Sequence, residues 1–195
     1  MILMEYFFSS VSEFSESEIR SIEAMLPESE RIRLSSKPQE KYIHSIAVRV
    51  LLKLQLNNLG YEVSSFCVTN SSSGKPILNS PKGLNISLTH SHDMVGCAFS
   101  EKRVGIDIQK ITACSEKAIL RICTPEEVEF IQKGNRVDSF IIWTLKESYI
   151  KATSCSFSQM VQTSFVKNGR ISAPDDVSKT EYGFKGDYAW SVIEI

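Results

Sequence analysis

The chain has 195 residues, with 22 lysines and arginines against 23 aspartates and glutamates and a formal net charge of -1. That length suits one large domain or two small halves, and it buries a core without disulfide staples; hydrophobic residues at 42% and charged residues at 23% exclude global disorder. A neutral total gives no bulk attraction to nucleic acid or to an anionic membrane, so an anionic ligand must be met by a local cluster of cations.

Met1 to Ser9 predicts a first strand; Glu5 interrupts its apolar run and no basic residues lead it, so it is not expected to be a signal peptide. Ser12 to Met25 predicts a helix that stops before Pro27, with a Ser-x-x-Glu pattern at Ser15 and Glu18. Glu28 to Lys37 is charged and reads as a short helix or a turn. Gln39 to Leu59 is the clearest helix: Ile43, Ile46, Ala47, Val50, Leu51 and Leu54 recur at three- and four-residue steps, and Gly60 offers a C-terminal cap. Its apolar run is broken by Arg49, Lys53 and Gln55, far short of the roughly 20 residues a membrane span needs. A strand is predicted near Ser65 to Thr69, then a loop from Asn70 to Pro76. Strands follow at Asn85 to Thr89, Met94 to Ser100 and Val104 to Ile108. Helices are predicted at Ser115 to Ile122, at Pro125 to Lys133 behind a Thr124–Glu127 capping box, and at Ser139 to Ala152. Lys167 to Ala173 and Tyr188 to Ile193 read as closing strands. Helices mixed with meandering strands indicate an α+β fold. A long helix followed by strands occurs on each side of residue 100, a hint of two halves, 1–100 and 101–195.

Five cysteines, Cys67, Cys97, Cys114, Cys123 and Cys155, contain no C-x-x-C pair. They are expected to be reduced thiols of a cytoplasmic protein.

The chemistry-bearing segments are three. On a strand, Asp107 and Gln109 of Val104–Gln109 share one face, away from Ile106 and Ile108. A carboxylate among buried isoleucines needs a partner, which a salt bridge or a turn would also provide. On the helix that follows, Trp143, Glu147 and Lys151 form one stripe, which an ordinary surface Glu–Lys pair would equally produce. Upstream, His90 and His92 alternate in Asn85–Asp93, and the third histidine is His44; spacing for a zinc site is lacking, whereas His90 beside Ser91 suits a phosphate contact. Gly74-Lys75-Pro76 supplies a turn with a cation but no P-loop. Asp107 and Glu147 can converge as oxygen ligands for magnesium, with Lys75, Lys151 and His90 around bound phosphate.

The order Gly74-Lys75-Pro76, Asn85-Ile86-Ser87 with His90-Ser91, Gly105-Ile106-Asp107-Ile108, and Trp143-Thr144-Leu145-Lys146-Glu147-Ser148-Tyr149-Ile150-Lys151-Ala152 resembles the 4'-phosphopantetheinyl transferases. The resemblance is to the surfactin-synthetase-activating type, in which one monomeric chain carries two similar α+β halves related by pseudo-two-fold symmetry. It implies transfer of the 4'-phosphopantetheine arm of coenzyme A to a serine of an acyl or peptidyl carrier protein, releasing adenosine 3',5'-bisphosphate. By resemblance, Asp107 and Glu147 hold magnesium on the pyrophosphate, and Lys151 contacts phosphate and shares with Glu147 the deprotonation of the acceptor serine. Gly74, Lys75 and Pro76 lie against the adenine and phosphate end, His90 and Ser91 belong to the same contacts, and Arg31 and Arg33 add positive charge. Residues 1–100 take the nucleotide and residues 101–195 carry metal and catalysis. Glu127 matches a glutamate recurrent at its helix start. Nucleic acid and membrane are not expected as partners.

Three positions depart from the family pattern. Gln109 stands where a second acid is common, and is expected as a neutral metal ligand or one acting through water. His44 and Ser45 occupy the region of an arginine that meets the 3'-phosphate, so His44 is the expected substitute. Thr153-Ser154-Cys155-Ser156 replaces a glycine-containing continuation after Ala152. These departures leave open a module that binds coenzyme A or carrier without transfer; a magnesium-dependent phosphohydrolase fits the motif order less well.

Overall fold

The protein is described by a computed structural model over residues 4–72, 74–112, 116–135 and 137–195; the side chains of Glu116 and Lys117 are not among those described. Met1 to Leu3 of the expected first strand, Ser73 of the serine-rich loop, Cys114 and Ser115 lie outside the described residues. The chain divides into two compact units, one ending at Glu101 and the other starting at Lys102.

The first unit is built on a long helix and a three-stranded antiparallel sheet. Strand β1 (Glu5–Ser10) leads into a single 3-10 turn, Val11–Glu13, and helix α1 (Glu16–Met25). The helix expected from Ser12 therefore begins later, because Ser15 caps it: Ser15 Oγ accepts the Glu18 amide and Glu18 accepts the Ser15 amide at 2.8 Å. Helices α2 (Glu28–Ser35) and α3 (Gln39–Asn58) follow. Strands β2 (Cys67–Asn70) and β3 (Pro76–Ser80) form a separate two-stranded ribbon, and β3 was not expected from the sequence. A proline in its first position sits where a strand tolerates the missing N–H. Strands β4 (Asn85–Ser91) and β5 (Met94–Ser100) complete the sheet in the order β1-β5-β4. Ile46, Val50 and Leu51 of α3 belong to the same buried cluster as Val95, Cys97 and Phe99 of β5 and Ile22 of α1.

The second unit repeats this plan. Strand β6 (Val104–Lys110) is followed by helices α4 (Glu116–Leu120), α5 (Pro125–Lys133), α6 (Asp138–Thr153) and α7 (Phe157–Gln162). The expected strand Lys167 to Ala173 is instead a hairpin of β7 (Val166–Lys167) and β8 (Arg170–Ile171). Its turn is Asn168-Gly169, both at positive φ, 55° and 69°, the sequence pair that favours tight hairpins. Strands β9 (Lys179–Lys185) and β10 (Tyr188–Glu194) give the antiparallel order β6-β10-β9. Helix α7 and strand β9 were not expected from the sequence; α7 is only six residues long, and the stretch of β9, Lys179–Lys185, carries only Tyr182 and Phe184 as large apolar residues. Phe140, Ile142 and Leu145 of α6 share a core with Ala189 and Ile193 of β10 and with Phe165. The fold is α+β, and each unit sets one long buried helix on a three-stranded sheet. Among the described residues no helix is long and apolar enough to cross a membrane.

Candidate active site

The register of β6 and β10 places Gly105 opposite Ile193, Asp107 opposite Ser191 and Gln109 opposite Ala189. Alternation puts these six residues on one side of the sheet, and α6 packs there. The contact requires Gly105: a Cβ at that position would stand 1.9 Å from the Ser148 carbonyl oxygen and 2.7 Å from the Ala152 amide nitrogen. One residue pair further, Ser148 Oγ lies 2.8 Å from Ser191 Oγ and donates to the Ser191 carbonyl at 3.1 Å. Helix α6 is thus fixed on the sheet at two points, and its next turn meets Asp107. Lys151 Nζ donates to Asp107 Oδ1 at 2.7 Å and to the Ile106 carbonyl at 2.9 Å. The salt bridge left open by the sequence is present, and Lys151 is its partner.

Trp143, Glu147 and Lys151 are half-buried while Thr144, Leu145, Lys146 and Ser148 between them are buried, which is the stripe expected from the spacing. Burial first, and then the charge of Asp107, push the Glu147 carboxyl above the usual carboxylate range, and Lys151 opposes the shift. Two neighbouring carboxylates with one ammonium beside them form a place that a divalent cation suits. Among the described residues no group of three or more histidine, cysteine, aspartate and glutamate side chains could hold a metal ion. The pair would take further oxygens from phosphate and water, a donor set that fits magnesium and does not fit zinc. The Gln109 amide donates to the Lys110 carbonyl at 3.4 Å, and its side chain is half-buried beside Asp107 on the same face.

The other charged residue of the helical motif has a different task. Lys146 is fully buried and paired with fully buried Glu127 at 3.0 Å. It also donates to the carbonyls of Met160, Val161 and Thr163, at 3.2, 3.3 and 2.6 Å. Glu127 in turn accepts the Thr124 amide at 2.7 Å and the Phe165 amide at 2.8 Å. This pair ties α5, α6 and the end of α7 together, so Glu127 belongs to the scaffold. Helix α6 ends on Ser154 in the left-handed conformation, φ 59°, ψ 28°. The left-handed turn is therefore present without glycine, at a cost of about 1–2 kcal/mol.

The first unit holds a pocket of about 140 Å³ lined by Arg33, Lys37, Ser45, Arg49, Asn70, Pro76, Thr89 and His90, together with the apolar Val48 and Leu88. Arg33 forks onto Glu30, at 3.1 and 2.7 Å, and donates to Asn70 Oδ1 at 3.0 Å. Arg49 is buried; it donates to the Ser45 carbonyl at 2.7 Å and meets Glu30 at 3.4 Å, while its Nε has no hydrogen-bond partner. Burial lowers the Arg49 pKa to about 10 and, with Arg33 and Arg49 nearby, also lowers that of Lys37. Lys37 donates to Ser45 Oγ at 3.1 Å. One carboxylate against three cations leaves an excess of positive charge in this pocket.

Of the expected nucleotide contacts, Pro76 and His90 line the pocket, and His44 stacks on His90 with ring centroids 5.2 Å apart while remaining buried. Gly74 takes φ 83° in the adjoining loop, which closes through Asn70 donating to the Gly74 carbonyl at 2.6 Å and Ser71 Oγ accepting the Lys75 amide at 3.0 Å. Lys75, Ser91 and His44 are not among the pocket's lining residues. Ser91 is buried, with Oγ 3.4 Å from His92 Nδ1. Arg31 pairs with Glu28 on the exposed side of α2 and is likewise not in the lining. No sequence signal marks Lys37; Arg49 reads in the sequence as an interruption of the apolar run, although its i+4 spacing from Ser45 is visible.

The profile of the 4'-phosphopantetheinyl transferase superfamily matches residues 103–193. The chain is 26% identical over 192 residues to the 4'-phosphopantetheinyl transferase HetI of Nostoc sp., covering 92% of this chain and 77% of that protein. It is 40% identical over 83 residues to the 4'-phosphopantetheinyl transferase gsp of Aneurinibacillus migulanus, 40% of this chain and 34% of that one. It is 32% identical over 82 residues to the 4'-phosphopantetheinyl transferase Sfp of Bacillus subtilis, 40% and 37% of the two chains. The match thus spans only about a third of the Aneurinibacillus and Bacillus proteins. Motif geometry and similarity agree: residues 103–193 match the 4'-phosphopantetheinyl transferase superfamily, and the chain is similar to these transferases.

Proposed function

We propose that this protein transfers the 4'-phosphopantetheine group of coenzyme A to a serine hydroxyl of an acyl or peptidyl carrier protein, releasing adenosine 3',5'-bisphosphate. The observation that carries the reading is the placement of Asp107 and Glu147, two mutually acting carboxylates, beside Lys151 on one face of β6 and α6. Asp107 and Glu147, with Gln109 as a neutral neighbour, would hold magnesium. Bound there, the ion would neutralise charge on the pyrophosphate and ease departure of the bisphosphate. The Glu147 carboxylate, on the same helical stripe as Lys151, receives the serine proton. Lys151 meets phosphate charge.

In the first unit, the pocket of Arg33, Lys37, Arg49 and His90 takes a phosphate of the nucleotide end. It has the cation excess and the unpartnered guanidinium N–H that a phosphate would use. His44 supports His90 by stacking, and the Gly74–Pro76 loop borders the pocket through Pro76. The four described cysteines are free thiols, as in a reducing compartment, and cytoplasmic localisation and a monomeric state belong to this proposal.

The test is to incubate the protein with coenzyme A and magnesium, with and without an apo carrier, and to quantify adenosine 3',5'-bisphosphate. Release that requires the carrier supports transfer. Release without carrier indicates hydrolysis, and coenzyme A binding with no release, across several carriers, indicates a binding module.

A further inference from the structure

Two lysines five residues apart on α6 are held in opposite ways. Lys146 is fully buried among three carbonyls and Glu127, and nothing in its surroundings allows it to leave. Lys151 has a side chain 29% exposed, and its ammonium has two partners, Asp107 Oδ1 and the Ile106 carbonyl. A partly exposed lysine with two partners can give way to another cation. Its partner carboxylate is one of the two that the reading above assigns to the metal, and this inference rests on that reading.

We propose that Lys151 is a resident counter-cation that a divalent ion displaces from Asp107. Without metal, Lys151 offsets one of the two negative charges that β6 and α6 bring together, which lets the site exist folded and metal-free. A divalent ion at Asp107 and Glu147 supplies that charge in excess, and like charge then disfavours an ammonium 2.7 Å from the same carboxylate. The released side chain remains anchored at Cα on the stripe it shares with Glu147, where it becomes available to a phosphate. Metal binding thereby precedes the use of Lys151. The same competition holds metal affinity low until a phosphate ligand arrives to engage the freed ammonium.

The experiment titrates the full-length protein, without coenzyme A, with Mn2+ and follows the loss of the free-ion electron paramagnetic resonance signal. Lys151→Met should bind Mn2+ about tenfold more tightly than the unsubstituted protein. Lys151→Arg, which keeps the charge, should bind as weakly as the unsubstituted protein. Circular dichroism checks folding, and Lys151→Gln is the second neutral replacement should Lys151→Met not fold. Equal or weaker affinity in the neutral variants overturns the displacement while leaving the metal site standing. No Mn2+ binding in any of these proteins, or binding undiminished in Asp107→Asn, overturns the metal reading itself and the displacement with it.

Discussion

Gly105 and Ser148 meet backbone to backbone, since a Cβ on Gly105 would fall 1.9 Å from the Ser148 carbonyl oxygen. Backbone atoms on both sides leave no flexible side chain to give way, so α6 would have to move off the sheet. Gly105→Ala should therefore destabilise the protein by about 2–3 kcal/mol or more in urea unfolding. The folded remainder should also show weakened metal binding, because Lys151 and Glu147 ride on the displaced helix. Unchanged stability would show that the close approach is not real.

The Lys146–Glu127 pair makes a different demand. Both side chains are fully buried, and each also satisfies backbone groups. Lys146→Met leaves the Glu127 charge and three carbonyls without their shared donor, and should cost about 3–5 kcal/mol. Chemical denaturation measures it. The variant that still folds should keep its Mn2+ affinity, because Lys146 pairs with Glu127 and the α7 carbonyls and has no part in the Asp107 cluster.

The helical motif was thus legible as a unit but not in its division of labour. The sequence placed Glu147 and Lys151 on one stripe, and the shared face of Asp107 and Gln109 followed from the alternation of β6. It could not show that Lys146 faces the other way into three carbonyls, since those come from α7 and the residue after it, and six helical residues carry too short a pattern to read. Lys37 and Arg49 escaped for a related reason. Their convergence depends on α2 and the middle of α3 folding against each other around Glu30, a tertiary contact without local signature. Ser154 shows the converse: the continuation lacks the family's glycine, yet the αL cap is kept by a serine.

Glu147 links stability to pH. Its pKa is raised in the folded state, so the folded protein holds this proton more tightly than the unfolded chain does. The contribution is fully present below the ordinary carboxylate range and is lost as pH rises through the raised value. Above it, the charged form costs stability. Glu147→Gln mimics the protonated form, so it should raise the melting temperature at pH 7 and make no difference below the unfolded carboxylate pKa. The same variant should lose transfer activity by about a hundredfold or more. A lower melting temperature at pH 7 would contradict the sign.

The cationic pocket should act on binding and not on chemistry. Lys37→Ala removes one of three cations while leaving Arg33 and Arg49 on Glu30. The Michaelis constant for coenzyme A should rise about tenfold with little change in kcat, the signature of a contact made equally in ground and transition states. A fall in kcat at unchanged KM would move Lys37 out of the binding pocket.

The most direct test of the whole account is the intact mass of an apo carrier protein after incubation with coenzyme A, magnesium and this protein. The account predicts a gain equal to one phosphopantetheine with the unsubstituted chain, and none with Asp107→Ala or Glu147→Ala variants that fold. A full gain with either variant would contradict the assignment of the two carboxylates, and no gain with the unsubstituted chain on any of several carriers would contradict the transferase itself.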